Sequence, residues 1–156
     1  MAKAVPEGFH TVTAHLVVRD CARAIEFYKQ AFGAEERVRM NGPGGKIMHA
    51  EIKIGDSIVM LGEEAPEWGS KGPQILGGTP VSLHVYSEDA NASWKRATEA
   101  GATVAMPLAD MFWGDRYGQV TDPFGHRWAI GQHLEDLTPE QIGQRQKEFF
   151  AKQGKH

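Results

Sequence analysis

A chain of 156 residues with 41% apolar side chains is long enough for one compact domain or two very small units that share a core. Its formal charge of −3 supplies neither the basic field that nucleic acid attracts nor a polybasic stretch for a lipid surface, so both partners are excluded from the expectation. No apolar run approaches the roughly 20 residues of a membrane helix, the start MAKAVPEGF lacks the apolar centre of a signal peptide, and the single Cys21 excludes an internal disulfide framework; a cytoplasmic protein is expected.

From Thr11 to Val18 the side chains alternate, with Val12, Ala14, Leu16 and Val18 on one face and Thr11, Thr13, His15 and Val17 on the other, which predicts a strand. Asp20 can cap a helix in which Ala24, Ile25, Tyr28, Ala31 and Phe32 recur at helical spacing until Gly33 closes it. A short strand near Glu36 to Met40 follows, and Asn41-Gly-Pro-Gly-Gly45 reverses the chain. Lys46 to Ile54 alternates again, placing His49, Glu51 and Lys53 on one face, and after the Gly55-Asp56 turn Ser57 to Leu61 reads as a short buried strand. The Gly- and Pro-rich stretch that follows separates two units.

The order then begins again. Val81 to Tyr86 alternates, Asp89 can cap a helix from Ala90 to Ala100, Gly101 closes it, and Thr103 to Met106 can be a strand. Met111 to Trp128 supplies a hairpin, Tyr117 to Thr121 and His126 to Ile130, around Asp-Pro-Phe-Gly, where proline presets the backbone and glycine supplies a positive φ. His15 and His84 each stand five positions before a capping aspartate, so the chain reads as an internal duplication. Each strand set has one apolar face for its helix and one mixed face, and two mixed faces side by side would line a cup. The expected fold is therefore α+β: two tandem βαβββ modules forming a cup-shaped mixed β-sheet, plus a C-terminal helix. Module one spans residues 10–64, a linker 65–79, module two 80–133 and a helical tail 134–156. Thr138-Pro139-Glu140-Gln141 is a capping box, and the sparse apolar residues Ile142, Phe149 and Phe150 predict a helix appended to the domain or to a partner subunit.

The helix sequence ARAIEFYKQAFGAE, the stretch HAEIKIGDSIVML, the second-half EAGATV and FWGDRYGQVTDPFGHRW together resemble the vicinal oxygen chelate superfamily, in its glyoxalase/bleomycin resistance/dioxygenase branch, and within that the PhnB-like members. The resemblance covers roughly residues 10 to 133. It implies a small-molecule site, commonly in a homodimer, on a scaffold that serves lyases, dioxygenases and non-catalytic drug binders alike. Metal-dependent relatives resembling glyoxalase I place their ligands where this chain has Thr13, Ser82 and Ala129, two hydroxyls and a methyl that are poor ligands for a divalent metal. No cofactor is expected at that site. Histidines stand two positions further on in both halves, so His15, His84 and Glu51 form an alternative, displaced set for a metal-dependent lyase or dioxygenase.

The ligand-binding candidates are His15, His49, Glu51, His84, Tyr86, Trp113 and Arg116, with Glu51 the candidate acid/base. Trp113 could stack on a flat ligand and Arg116 could fork onto a carboxylate or phosphate. Plain packing of Trp113, and an ion pair of Arg116 with Asp115 or Asp122, are the competing explanations. His126 and Trp128 read as structural, and Cys21 as a small buried hydrophobe. The expectation is a small-molecule-binding protein of this superfamily, with no nucleic acid or membrane partner.

Overall fold

The computed structural model describes residues 1–154, so the last two residues of the expected tail lie outside it. Module one is β1 (His15–Val18), α1 (Cys21–Phe32), β2 (Glu35–Asn41), β3 (Ile47–Ile54) and β4 (Ser57–Glu63). A connector with a short helix, α2 (Pro73–Leu76), leads to module two: β5 (Ser82–Tyr86), α3 (Ala90–Ala100), β6 (Thr103–Asp110), β7 (Asp115–Thr121) and β8 (Arg127–His133). Helix α4 (Pro139–Gln153) ends the described chain. The strand orders β1-β4-β3-β2 and β5-β8-β7-β6 are the same arrangement used twice, with the first strand parallel to the last and the other pairs antiparallel. No helix among the described residues is long and apolar enough to cross a membrane.

Local chemistry explains the element ends. Asp20 caps α1 by accepting from Arg23 N while its own backbone sits at φ 67°, a left-handed conformation that aspartate tolerates better than most residues. Glu63, at the end of β4, accepts from the Asp20 and Cys21 amides at 2.7 and 2.9 Å, so the last partner of the parallel pair also anchors the helix start. Gly33 closes α1 in the left-handed region, as its position predicts. The Asp-Pro-Phe-Gly turn forms with Gly125 at φ 93°.

Strand β1 is shorter than the alternation predicts. Only His15 to Val18 pair with β4; residues 11 and 12 form a bend and residues 13 and 14 lead into the strand, with Ala14 accepting from Met60 N. Strand β6 is longer than expected and slips register on both sides of Met106, where Pro107 has no amide to donate.

One core serves both modules. Tyr28 and Phe32 of α1 pack on Trp128 of β8 at 5.3 and 4.6 Å, and Phe27 meets Phe124 at 6.1 Å. The buried Asp122 carboxylate knots this contact: Oδ2 accepts from Tyr28 OH at 2.6 Å and Trp128 Nε1 at 2.9 Å, and Oδ1 from the amides of Phe124 and His126. Burial and the adjoining Asp122 charge hold the Tyr28 phenol well above its usual range, so it remains a donor. His126 Nε2 adds a second bridge by donating to the Val17 carbonyl at 2.8 Å. Both His126 and Trp128 are thus structural. Cys21 is buried, and burial raises its thiol to about 12, which makes it an inert packing residue.

Helix α4 docks on the domain itself. Phe149 and Phe150 meet Phe112 at 5.4 and 6.3 Å, Arg145 grips Glu135 through both terminal nitrogens, and Thr138 and Gln141 form the expected capping box. The segment leading to α4 is held by His133, whose two ring nitrogens lie 2.8 Å from Asp136 and 2.7 Å from Asp115. These hydrogen bonds, Asp136 first and Asp115 second, raise the His133 pKa. A group with a raised folded pKa stabilises fully below its unfolded value, and the contribution fades as pH climbs through the folded value. Thermal unfolding followed from about pH 6 to about pH 9 should therefore show a decline in the wild type that is reduced in His133→Gln; parallel curves would remove His133 from the pH dependence.

Candidate functional site

The outer face of each sheet carries the same device. The His15 ring lies over Gly62 and the His84 ring over Gly131, and the same sequence interval separates the two histidines and the two glycines. A Cβ at Gly131 would stand 2.6 Å from His84 Nε2, and one at Gly62 3.2 Å from His15 Cε1, so glycine is what lets each imidazole lie down on the neighbouring strand. Beyond each glycine sits a second ring: His49, stacked 6.1 Å from His15, and Tyr117, 5.6 Å from His84. The third position also corresponds, with Glu51 opposite Met60 in one sheet and Gln119 opposite Ala129 in the other.

The duplicates differ in chemistry. In module one His49 Nε2 is 3.3 Å from Glu51 Oε1, a half-buried imidazole-carboxylate pair of the type used to move protons. Burial of its ring, and then the adjacent His49 charge, lower the His15 pKa and favour the neutral imidazole. In module two the corresponding pair is uncharged, Gln119 donating to Tyr117 OH at 2.5 Å. There the rings form a continuous row: Tyr86 to His84 at 4.5 Å, His84 to Tyr117 at 5.6 Å, and Tyr117 to Trp113 edge-on at 5.4 Å. Trp113 touches Phe112 in turn, which links the row to the residues under α4.

Seven expected site residues thus fall into two groups and one outlier. His15, His49 and Glu51 come together on sheet one; His84, Tyr86 and Trp113 come together on sheet two. Arg116 joins neither, because Asp110 holds its guanidinium at 2.6 and 3.1 Å. The acid expected for Arg116 was Asp115 or Asp122. Asp110 lies across the β6–β7 pair, directly opposite in register, and takes that place instead. Tyr117, Gln119 and Arg127, hydrogen-bonded in series on the same face of sheet two, were not among the expected residues. The period-two alternation that placed His84 and Tyr86 could have found Tyr117 and Gln119, which share one face of β7.

A cavity of about 640 Å³ opens between the modules along β5, in the size range of small-molecule sites. Phe32, Trp128, Ile130 and Val85 give it apolar walls, His84 and Tyr86 border it, and Arg96 and Ser93 of α3 supply polar groups.

Among the described residues no group of three or more His, Cys, Asp or Glu side chains is arranged to hold a metal ion. His15, Glu51 and His84 therefore do not converge within the chain as the displaced set requires, since each histidine is committed to its own sheet face. The alternative positions do not fit a metal either: Thr13 precedes β1, Ser82 begins β5, and Ala129 is buried with only a methyl to offer.

The family model for the Glyoxalase/Bleomycin resistance protein/Dioxygenase superfamily matches residues 8–130. An uncharacterised protein of Mycobacterium tuberculosis is 47% identical over 134 residues, spanning 84% of this chain and 79% of its own length. Among solved structures, TioX from Micromonospora sp. ML1 is similar at 28% identity and a TM-score of 0.62, over 83% of this chain and 100% of that one. The PhnB protein from Bacillus cereus shares the fold at 16% identity and a TM-score of 0.62, over 79% of this chain and 99% of its own.

Proposed function

Because the chain belongs to the Glyoxalase/Bleomycin resistance protein/Dioxygenase superfamily, we propose that it uses this scaffold to bind a small, flat organic molecule against the outer face of the second sheet. The row Tyr86, His84, Tyr117 and Trp113 carries the proposal. Aromatic rings in file on the sheet face away from the core, with a glycine beneath His84, offer a stacking surface. The positions of metal-dependent relatives hold Thr13, Ser82 and Ala129, so binding is assigned to rings and hydrogen bonds, with no step routed through a metal.

Equilibrium dialysis with the neutral planar probe 2-naphthamide tests the reading. The wild-type protein is expected to retain the probe, and His84→Ala/Tyr117→Ala to bind it about tenfold more weakly, the loss of two stacked rings at roughly 0.5–1.5 kcal/mol each. Unchanged circular dichroism and unfolding midpoint would show that the variant is folded. Equal affinity in a folded variant would remove the aromatic row from the binding site.

A further inference from the structure

Four of the eight arginines, Arg19, Arg39, Arg116 and Arg145, each grip a carboxylate, whereas Arg23, Arg37 and Arg96 have no such partner among the described residues. Arg127 grips none among the described residues. It begins β8 opposite Ser82 on one side and Thr121 on the other, so its side chain leaves the sheet on the face that also carries Ala129, His84 and Tyr117. One terminal nitrogen donates to Gln119 Oε1 at 3.0 Å, and the Gln119 amide donates onward to Tyr117 OH. The Nε is buried and meets no acceptor.

A half-buried guanidinium with an unanswered N–H and no counter-charge is costly in a finished structure. The charge has a natural partner in an anion supplied from outside, which would meet the terminal nitrogen not used on Gln119 rather than the occluded Nε. The connection through Gln119 ties the cation to the aromatic row, and the neutral Gln119, where module one has Glu51, keeps the Arg127 charge uncompensated by protein. We infer that Arg127 is the anion anchor of this face, and that the ligand is a planar aromatic acid whose carboxylate meets Arg127 while its ring lies along His84 and Tyr117.

This inference rests on the binding proposal above and specifies the chemical class of its ligand. The experiment compares 2-naphthoate with 2-naphthamide, which differ in charge and little in shape. The wild-type protein should prefer the acid by about tenfold or more, the strength of a hydrogen bond to a charged group, and added salt should reduce that preference. Arg127→Gln should bind the two probes equally, and Arg127→Lys should fall between. Equal binding of acid and amide by the wild type overturns the anchor and leaves the stacking surface intact. Binding of neither probe overturns both. Because the wild-type comparison needs no substitution, a poorly folded Arg127→Gln would not shield the inference from refutation.

Discussion

Asp122→Ala is expected to lose about 3–5 kcal/mol of folding stability, measured by urea unfolding, because one side chain satisfies four donors. Its two oxygens accept from Tyr28 OH, Trp128 Nε1 and the amides of Phe124 and His126, and the residue is only 4% exposed. Each buried donor left without a partner costs about 1–3 kcal/mol, and water entering the vacated space recovers only part of the total. Domains of this size have about 5–15 kcal/mol in all, so the variant would be marginal at physiological temperature. Asp122→Asn keeps one acceptor oxygen for the turn amides and should lose roughly half as much. A loss below about 1 kcal/mol for the alanine variant would mean that the carboxylate is replaceable by solvent and that the turn is held otherwise.

Trp128→Ala should cost a similar amount, about 3–5 kcal/mol, by a different route. The indole is 1% exposed and lies against Tyr28 and Phe32, so its removal opens a hole on the inner wall of the 640 Å³ cavity. Trp128→Phe retains most of the contact area and loses the Nε1 donor, for an expected 1–2 kcal/mol or so. Since Asp122 and Trp128 share a hydrogen bond, the double alanine variant should fall short of the sum of the singles by at least about 0.5 kcal/mol. Strict additivity would show that the bond contributes little and that each residue acts through separate neighbours.

The elements with strong local signals were legible in the chain itself. Caps at Asp20, Asp89 and Thr138, closing glycines at Gly33 and Gly101, and period-two alternation in β3 and β5 are properties of adjacent residues, and they fix helices and strands without tertiary help. The repeated histidine before each capping aspartate also carried the duplication. What the sequence could not reveal depended on partners far along the chain. Asp122 looks like an ordinary turn residue until Tyr28, 94 positions away, donates to it. Arg116 found Asp110 because the β6–β7 register sets them face to face, and that register includes slips around Pro107 that alternation does not foresee. Thr11 to Thr13 alternate as a strand should, yet no strand pairs with them. His15 rests on Gly62 and His84 on Gly131, a relation invisible without the pairing of β1 with β4 and β5 with β8.

The carboxylate bonded across from the second module to the first also limits how far the two halves can move apart. Halves that met only through slippery apolar surfaces would be free to gape like a clamshell. Here such gaping would have to tear Tyr28 from Asp122 and Val17 from His126 at once, which amounts to unfolding. Motion along the cavity is therefore confined to small local adjustments at its rim, such as rotation of Tyr86 or yielding of the Gly55-Asp56 bend, with the frame itself standing still.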